Sequence, residues 1–310
     1  MAPLFLSVPG GRPSASTRGK AEPRGQKPRT KPPSRTGKQG KKPDSESGGP
    51  SAGTRLSADE IYENISDAAE EELERPATDL IWSAIAAGLA IGFSFLAAAF
   101  LASLVPEAWK TAAHAVGYPL GFIFVVLARQ QLFTENTLEP VIPLLRKPEW
   151  STFRKVAALW AVVFAGNMLG AVVFAWAAAR TEMLDRKLTE PLLRLAREST
   201  EGGFGIVTYK AVFAGWLIAL MAWLVASTLS TFAQISLIWL STAPIAALGF
   251  RHSIAGSVEA FYRTFSGDAP WGRMLGGFVV PCVLGNIIGG VLLVALLNHK
   301  QVSEITRGAT

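Results

Sequence analysis

Charge-free runs organise this chain. Leu80–Pro106, Thr111–Ala128, Val156–Ala179, Ala211–Phe250 and Met274–Asn298 contain no Asp, Glu, Lys or Arg. A helix needs roughly 20 apolar residues to cross the hydrocarbon core of a bilayer, so four of the runs predict one membrane span each. Ala211–Phe250 is too long for one helix. Its polar cluster Ser227–Thr231 divides it into a complete span and the first half of another, which continues past His252. The pattern therefore predicts six spans. Ahead of them, Asp59–Arg75 places Ile61, Ile65, Ala68, Ala69 and Leu73 three to four residues apart among acids, which predicts a short amphipathic helix ended by Pro76.

Spans 2 and 5 are interrupted by charge. The stretch ARQQLFTENTLEP, Ala128–Pro140, puts Arg129, Glu135 and Glu139 where a helix would be reaching the bilayer interior. Irregular backbone at that depth survives only inside protein or beside a watery cavity, and ionisable groups there point to function. The plain alternative is a loop that simply ends the span, as charges usually do.

An internal repeat decides between these. GNMLGAV (Gly166–Val172) in span 3 matches GNIIGGV (Gly285–Val291) in span 6 at an offset of 119 (285 − 166). The same offset sets Phe133 on His252 and Thr134 on Ser253, so the first interruption maps onto GFRHSIAGSVEAF, Gly249–Phe261. Span 1 (AIAAGLAI, Ala84–Ile91) resembles span 4 (AVFAGWLI, Ala211–Ile218) at an offset of 127 (211 − 84). Three spans repeated must be inverted relative to each other, and inverted repeats hold a substrate site near the midplane between broken helices. The glycine pairs Gly166/Gly170 and Gly285/Gly289 suit close helix packing. Asn167 and Asn286 are polar groups in apolar spans that need partners, expected in the freed backbone of the breaks.

Charge is unevenly distributed. Residues 1–55 hold 12 Lys/Arg against 3 Asp/Glu, and the remainder 18 against 21. The division is then a disordered basic tail (1–57), an interfacial helix (58–76), the membrane domain (77–300) and a short C-terminal tail (301–310). The tail is a solvated extension or a partner for anionic lipid headgroups; nucleic acid is not expected, since no folded reader accompanies the charge. The basic tail and the loop Arg146–Lys155 place both termini in the cytoplasm. The single cysteine, Cys282, rules out an intramolecular disulfide. No metal-ligand spacing, cofactor motif or nucleophile–base pair stands out, which argues against an enzyme.

LFTENT (Leu132–Thr137), GFRHSIAG (Gly249–Gly256) and GNIIGGVLLV (Gly285–Val294) resemble the breaks and the final-helix signature of the formate/nitrite transporter family, in its order and spacing over about 80–300. The wording QQLFTENT is similar to a less characterised branch of that family. The resemblance implies an all-α integral membrane protein of the bacterial inner membrane. Its protomer would be aquaporin-like, with six helices as two inverted three-helix repeats and helices 2 and 5 broken, assembled as a homopentamer with one pore per protomer. It implies passage of small monovalent anions or their acids, with a proton and without a cofactor. His252 matches the central pore histidine and Thr134 the threonine facing it, with Ser253 beside them. Leu132, Phe133 and Phe122, and less directly Ile218 and Ile245, match the apolar constrictions; Asn136 and Gln131 join the two asparagines in supporting the breaks. Arg251, Gly256, Gly215, Gln131 and Glu135 depart from the family pattern. Arg197 and Lys210 are the candidates for its lysine before helix 4.

A bare anion in a dry constriction faces a large desolvation penalty that a neutral acid does not. A histidine there could take a proton and hand it to the anion, because imidazole titrates near neutrality. The new charges on the two breaks suggest an Arg251–Glu135 ion pair; the alternative is Arg251 at the pore mouth, attracting anions. A divergent member acting as a neutral small-solute pore or a membrane scaffold is the competing reading.

Overall fold

Ser57 opens the first helix, α1 (Ala58–Glu74), with a capping box: its side chain accepts from Glu60 N–H, and the Glu60 carboxylate accepts from Ser57 N–H at 2.7 Å. The structure is a computed structural model and describes residues 56–297 and 299–301; the basic-tail and C-terminal-tail readings lie almost wholly outside these residues. Ile61, Tyr62, Ile65 and Ala69 are buried on one face of α1, and the first three pack on Leu138, Val141, Ile142 and Ala219. This is the predicted amphipathic helix.

Among the described residues, five helical stretches are long and apolar enough to cross a membrane: Ala77–Ser103, Glu107–Leu127, Trp150–Arg180, Phe204–Ala226 and Trp271–Gly290. They comprise α2 (Ala77–Ala90) with α3 (Gly92–Ser103), α4 (Lys110–Gly117) with α5 (Pro119–Leu127), α7 (Trp150–Arg180), α9 (Phe204–Ala226), and α12 (Trp271–Met274) leading through a π-turn into α13 (Val280–Gly290). Between them lie α6 (Val141–Arg146), α8 (Thr189–Ser199), α10 (Thr231–Ala247) and α11 (Ser253–Phe265). The polar cluster at 227–231 separates α9 from α10 as predicted. Trp82, Phe93, Phe100, Trp176 and Trp239 stay exposed on the outside. So broad an apolar surface requires lipid or another subunit.

Small residues set the helix spacing. Gly88 on α2 lies against the Asn167 carbonyl of α7, and Gly215 on α9 lies in the same way against the Asn286 carbonyl of α13. A methyl at either glycine would overlap that oxygen. Gly170 and Gly289 face the backbones of α2 and α9 likewise, so the predicted packing role of these glycines is met within the chain.

The two interruptions have the same backbone. α5 ends with Arg129 at φ 52°, and α10 ends with Gly249 at φ 66°. In each, the next N–H reaches back five residues: Gln130 to the Val125 carbonyl and Phe250 to the Ile245 carbonyl, at 3.0 and 2.9 Å. Both are left-handed C-caps, which glycine adopts freely and arginine only at a cost. These matches fall at an offset of 120 (249 − 129 and 250 − 130). The sequence alignment at 119 is therefore corrected by one residue at the breaks: Leu132, not Phe133, stands opposite His252. The first repeat carries one more residue than the second between its break and its asparagine, so the asparagine-bearing helices remain at 119.

Candidate functional site

Each break leaves backbone groups that no helix satisfies, and one asparagine per break takes them up. Asn167 Oδ1 accepts Phe133 N–H at 2.9 Å, while its Nδ2 donates to the carbonyls of Ala84 and Gln131 at 2.8 and 2.9 Å. Asn286 Oδ1 accepts Ser253 N–H at 2.8 Å, and its Nδ2 donates to Ala211 and Arg251 at 2.8 and 3.0 Å. Both are fully buried. A side-chain amide has one acceptor and two donor hydrogens, so each holds a break to a neighbouring span with all three. Asn136 Nδ2 donates to Gln131 Oε1 at 3.0 Å, and the Asn136 carbonyl accepts Trp160 Nε1–H at 2.7 Å. Gln131, Asn136, Asn167 and Asn286 thus all hydrogen-bond within or to the two breaks.

Where the breaks meet, Thr134 Oγ1 lies 2.8 Å from His252 Nε2. His252 also caps α11: its Nδ1 accepts Ala255 N–H at 3.2 Å. A backbone N–H can only donate, so the neutral ring carries its proton on Nε2 and donates it to Thr134 Oγ1. The threonine hydroxyl hydrogen is then free to turn elsewhere. Phe122, fully buried, sets its ring perpendicular to the imidazole at 5.0 Å between centroids. Ser253 is buried beside the histidine, with its hydroxyl unpartnered.

The other expected constriction residues divide. Ile245 lines a cavity of about 360 Å³ that ends on His252. Leu132 and Ile218 are buried in the apolar core. Phe133 turns toward α7, its ring edge-on to Trp160 and Phe164 at 6.0 and 5.2 Å, because its N–H is held by Asn167 on that helix.

The cavity opens on the α8 side, away from α1. Arg251, Lys210, Glu259 and Tyr118 are also on its wall. Arg251 is 7% exposed. Its Nη2 donates to the carbonyls of Glu198 and Glu201 at 3.0 and 3.2 Å, and its Nε has no partner. The expected ion pair with Glu135 is not formed. Glu135 Oε1 is buried without a partner, and its charged neighbour is Glu139, whose own is Glu72 of α1. Arg251 is bound to carbonyls at the end of α8, whereas Glu135 lies by Glu139, which in turn lies by α1, so the two charges meet different neighbours. The alternative reading, Arg251 at the mouth, fits the geometry.

The helix ends beside the mouth are themselves pinned. Asp268, in the turn after α11, accepts from Arg197 Nε of α8 at 2.8 Å and from Arg263 Nε at 2.7 Å. Hydrogen bonding to Arg197, with Arg263 adding to it, holds the Asp268 carboxyl below the usual carboxylate range. Arg197 is thereby occupied, whereas Lys210 reaches the cavity, near the backbone of Gly249. Glu259, 5% exposed, did not stand out in the sequence. The available signal was its spacing: seven residues from His252, two turns along one face of α11.

A family profile, formate/nitrite transporter, matches residues 59–300. The chain is 37% identical over 243 residues to the inner membrane protein YfdC of Escherichia coli (strain K12), covering 78% of each. Its fold is similar to a pentameric formate channel solved with formate bound, with TM-score 0.60 at 21% identity, over 71% of this chain and 95% of that one. An ion channel described as of the FNT family matches with TM-score 0.65 at 19% identity, over 77% and 96%. A profile covering the whole membrane domain and a relative this similar are sufficient: the chain belongs to the formate/nitrite transporter family, whose members are membrane channels and transporters rather than enzymes.

Proposed function

We propose that this protein is a proton-linked channel or transporter for small monovalent anions or their acids, of the size of formate, acetate or nitrite. The observation that carries this is the 2.8 Å contact of Thr134 Oγ1 with His252 Nε2, under the Phe122 ring and at the inner end of the cavity. An anion arriving from the mouth loses water before that apolar edge. The threonine hydroxyl, already accepting from His252, donates to it. For His252 to carry a second proton, Nδ1 must exchange the Ala255 N–H cap for a hydrogen of its own. The anion's charge favours that exchange. The imidazolium then passes its Nε2 proton through the Thr134 hydroxyl to the anion and is left neutral with its proton on Nδ1; the neutral acid passes Phe122, and the ring regains its cap when water reprotonates Nε2 and takes the proton from Nδ1. Leu132, Ile218 and Ile245 provide the apolar surroundings and Ser253 a hydroxyl beside the ring.

The same reading includes six spans as two inverted repeats, supported by the matched breaks and asparagine clamps. It includes a homopentamer in a bacterial inner membrane, supported by the pentameric neighbour and the exposed apolar belt. Both termini are cytoplasmic in this reading: Tyr62 of α1 hydrogen-bonds His299 near the chain's end, and Arg146 beside them binds Glu63.

The test is uptake of labelled formate, acetate and nitrite into proteoliposomes at pH 5.5 and 7.5, wild type beside His252→Ala. Saturable flux that the substitution abolishes is expected. Absence of flux for every anion with the oligomer intact would instead support the neutral-solute pore or scaffold.

A further inference from the structure

The two ends of α8 differ in how the charges around them are satisfied. Toward its C-terminal end, Glu107 binds Arg194, Arg194 binds Glu198, and Asp268 binds both Arg197 and Arg263. Around its start, Arg180, Glu182, Asp185 and Arg186 line one cavity of about 720 Å³, and among the described residues none of the four is in an ion pair. Asp185 accepts the backbone N–H of Lys187 at 2.9 Å. Exposed charges can rest on water alone; what sets these apart is the space they share and what lies beside it. The floor is apolar and aromatic, with Leu192 and Tyr262 buried and Phe265 half-buried. The cavity also stands at headgroup depth. Trp150 and Trp176, both exposed, are 26 residues apart on α7 (176 − 150), about 39 Å along a helix. That is close to the roughly 40–45 Å separating the outer limits of a bilayer's headgroup layers, where tryptophan collects. Arg180 follows Trp176 by one turn. Leu169, Val173, Trp176 and Arg180 share one face of α7, and the first three are exposed. An apolar track thus leads up one span and ends on a cavity lined by both signs of charge.

We propose that this cavity binds the head of a phospholipid that carries a phosphate and a primary ammonium, phosphatidylethanolamine. Arg180 and Arg186 receive the phosphate, Glu182 and Asp185 the ammonium, and an acyl chain runs along Leu169, Val173 and Trp176. A guanidinium meets phosphate oxygens through paired hydrogen bonds. A primary ammonium has three hydrogens to donate, and ionised carboxylates only accept. A choline head has the same charges and no hydrogen to donate. A glycerol head has no positive charge for the two carboxylates, which then repel its phosphate. The bound head joins the end of α7 to the first turn of α8 and the last turn of α11. The opposite ends of those two helices meet at Arg251 and His252.

The test takes the purified oligomer, stripped of lipid in detergent, and adds dioleoyl phosphatidylethanolamine, phosphatidylcholine or phosphatidylglycerol. Lipid retained is read by native mass spectrometry for wild type, Arg180→Gln and Glu182→Gln, with the thermal midpoint read alongside. A hydrogen bond to a charged group is worth roughly tenfold or more. Wild type is expected to retain the ethanolamine lipid about tenfold better than either of the others and to melt higher with it. Arg180→Gln should hold all three weakly and alike, and Glu182→Gln should shift the preference toward the glycerol lipid. Glycerophosphoethanolamine, the same head without chains, should not displace the lipid at equal concentration. Equal retention of the three lipids by wild type, as a loose annulus gives, overturns the proposal. So does a wild-type preference for the glycerol lipid, selectivity unchanged in both variants, or no lipid retained because a second copy of the chain covers the track. Displacement by glycerophosphoethanolamine overturns the acyl track and gives the cavity to a soluble phosphodiester. If one variant fails to assemble, the wild-type ranking and the other variant decide.

Discussion

Thr134 Oγ1 and His252 Nε2 sit 2.8 Å apart although 118 residues separate them in the chain. Neither side chain lies within a regular helix: Thr134 leads into a short 3-10 turn, and His252 is the N-cap of α11. Their contact exists because two helices stop short and face each other. Thr134→Val keeps the shape and removes the acceptor of the Nε2–H. Anion uptake is expected to fall at least about tenfold, the loss of one well-placed donor at a charge-bearing step, with the oligomer unchanged by size-exclusion chromatography. Retained flux would remove the hydroxyl from the pathway.

Asn167 and Asn286 each make three hydrogen bonds that no other residue can replace. Asn167→Leu or Asn286→Leu strands a buried N–H and a buried carbonyl of the break, while the Ala84 or Ala211 carbonyl keeps only its helical partner. The expected destabilisation is about 3 kcal/mol or more for each, read as a fall in thermal midpoint in detergent. The Asn286 change should also depress transport, since it frees the backbone of Arg251 and Ser253 on either side of His252.

Gly88 and Gly215 test the helix spacing. Alanine at either pushes α2 from α7 or α9 from α13, and overpacking of this kind costs about 1–3 kcal/mol. Gly215 is one of the positions that depart from the family pattern, and its contact with the Asn286 carbonyl accounts for the glycine: an asparagine there should destabilise the protein rather than improve transport.

Arg251 and Glu135 meet different neighbours and share no partner. Their alanine variants should lose stability additively, within about 0.5 kcal/mol. A double variant that recovers stability would show that the two charges are coupled.

Asp268 carries a pH dependence whose sign follows from its environment. Its carboxyl titrates lower in the folded protein than in the unfolded chain. Its stabilising contribution is therefore complete above the ordinary Asp pKa, near 4, and fades as pH falls below that toward the depressed folded value. Asp268→Asn should cost about 1–3 kcal/mol near neutrality, because Arg263 is left largely buried without its carboxylate. The difference between variant and wild type should shrink on acidification. A difference that grows at low pH would contradict the assignment.

The sequence by itself determined the elements whose signals are local or repeated. Charge-free runs located the five apolar stretches long enough to cross a membrane, the cluster at 227–231 located the end of α9, and the period of α1 located its buried face. The repeat identified two breaks and the asparagines that support them. His252 and Thr134 followed from the resemblance in those breaks. Tertiary structure alone decided direction. The left-handed residues Arg129 and Gly249 set the register at 120, which no offset read from the glycine motifs could supply, since one residue is absorbed between break and helix. Packing carried Arg251 to the end of α8 and Glu135 toward α1, so complementary charges in paired motifs did not become a pair. The hold of Asn167 on Phe133 N–H turned that ring away from the histidine. Glu259 became visible only when α8 and α11 closed one cavity around it. Spacing along a helix specifies which residues share a face; what that face meets depends on contacts made far along the chain.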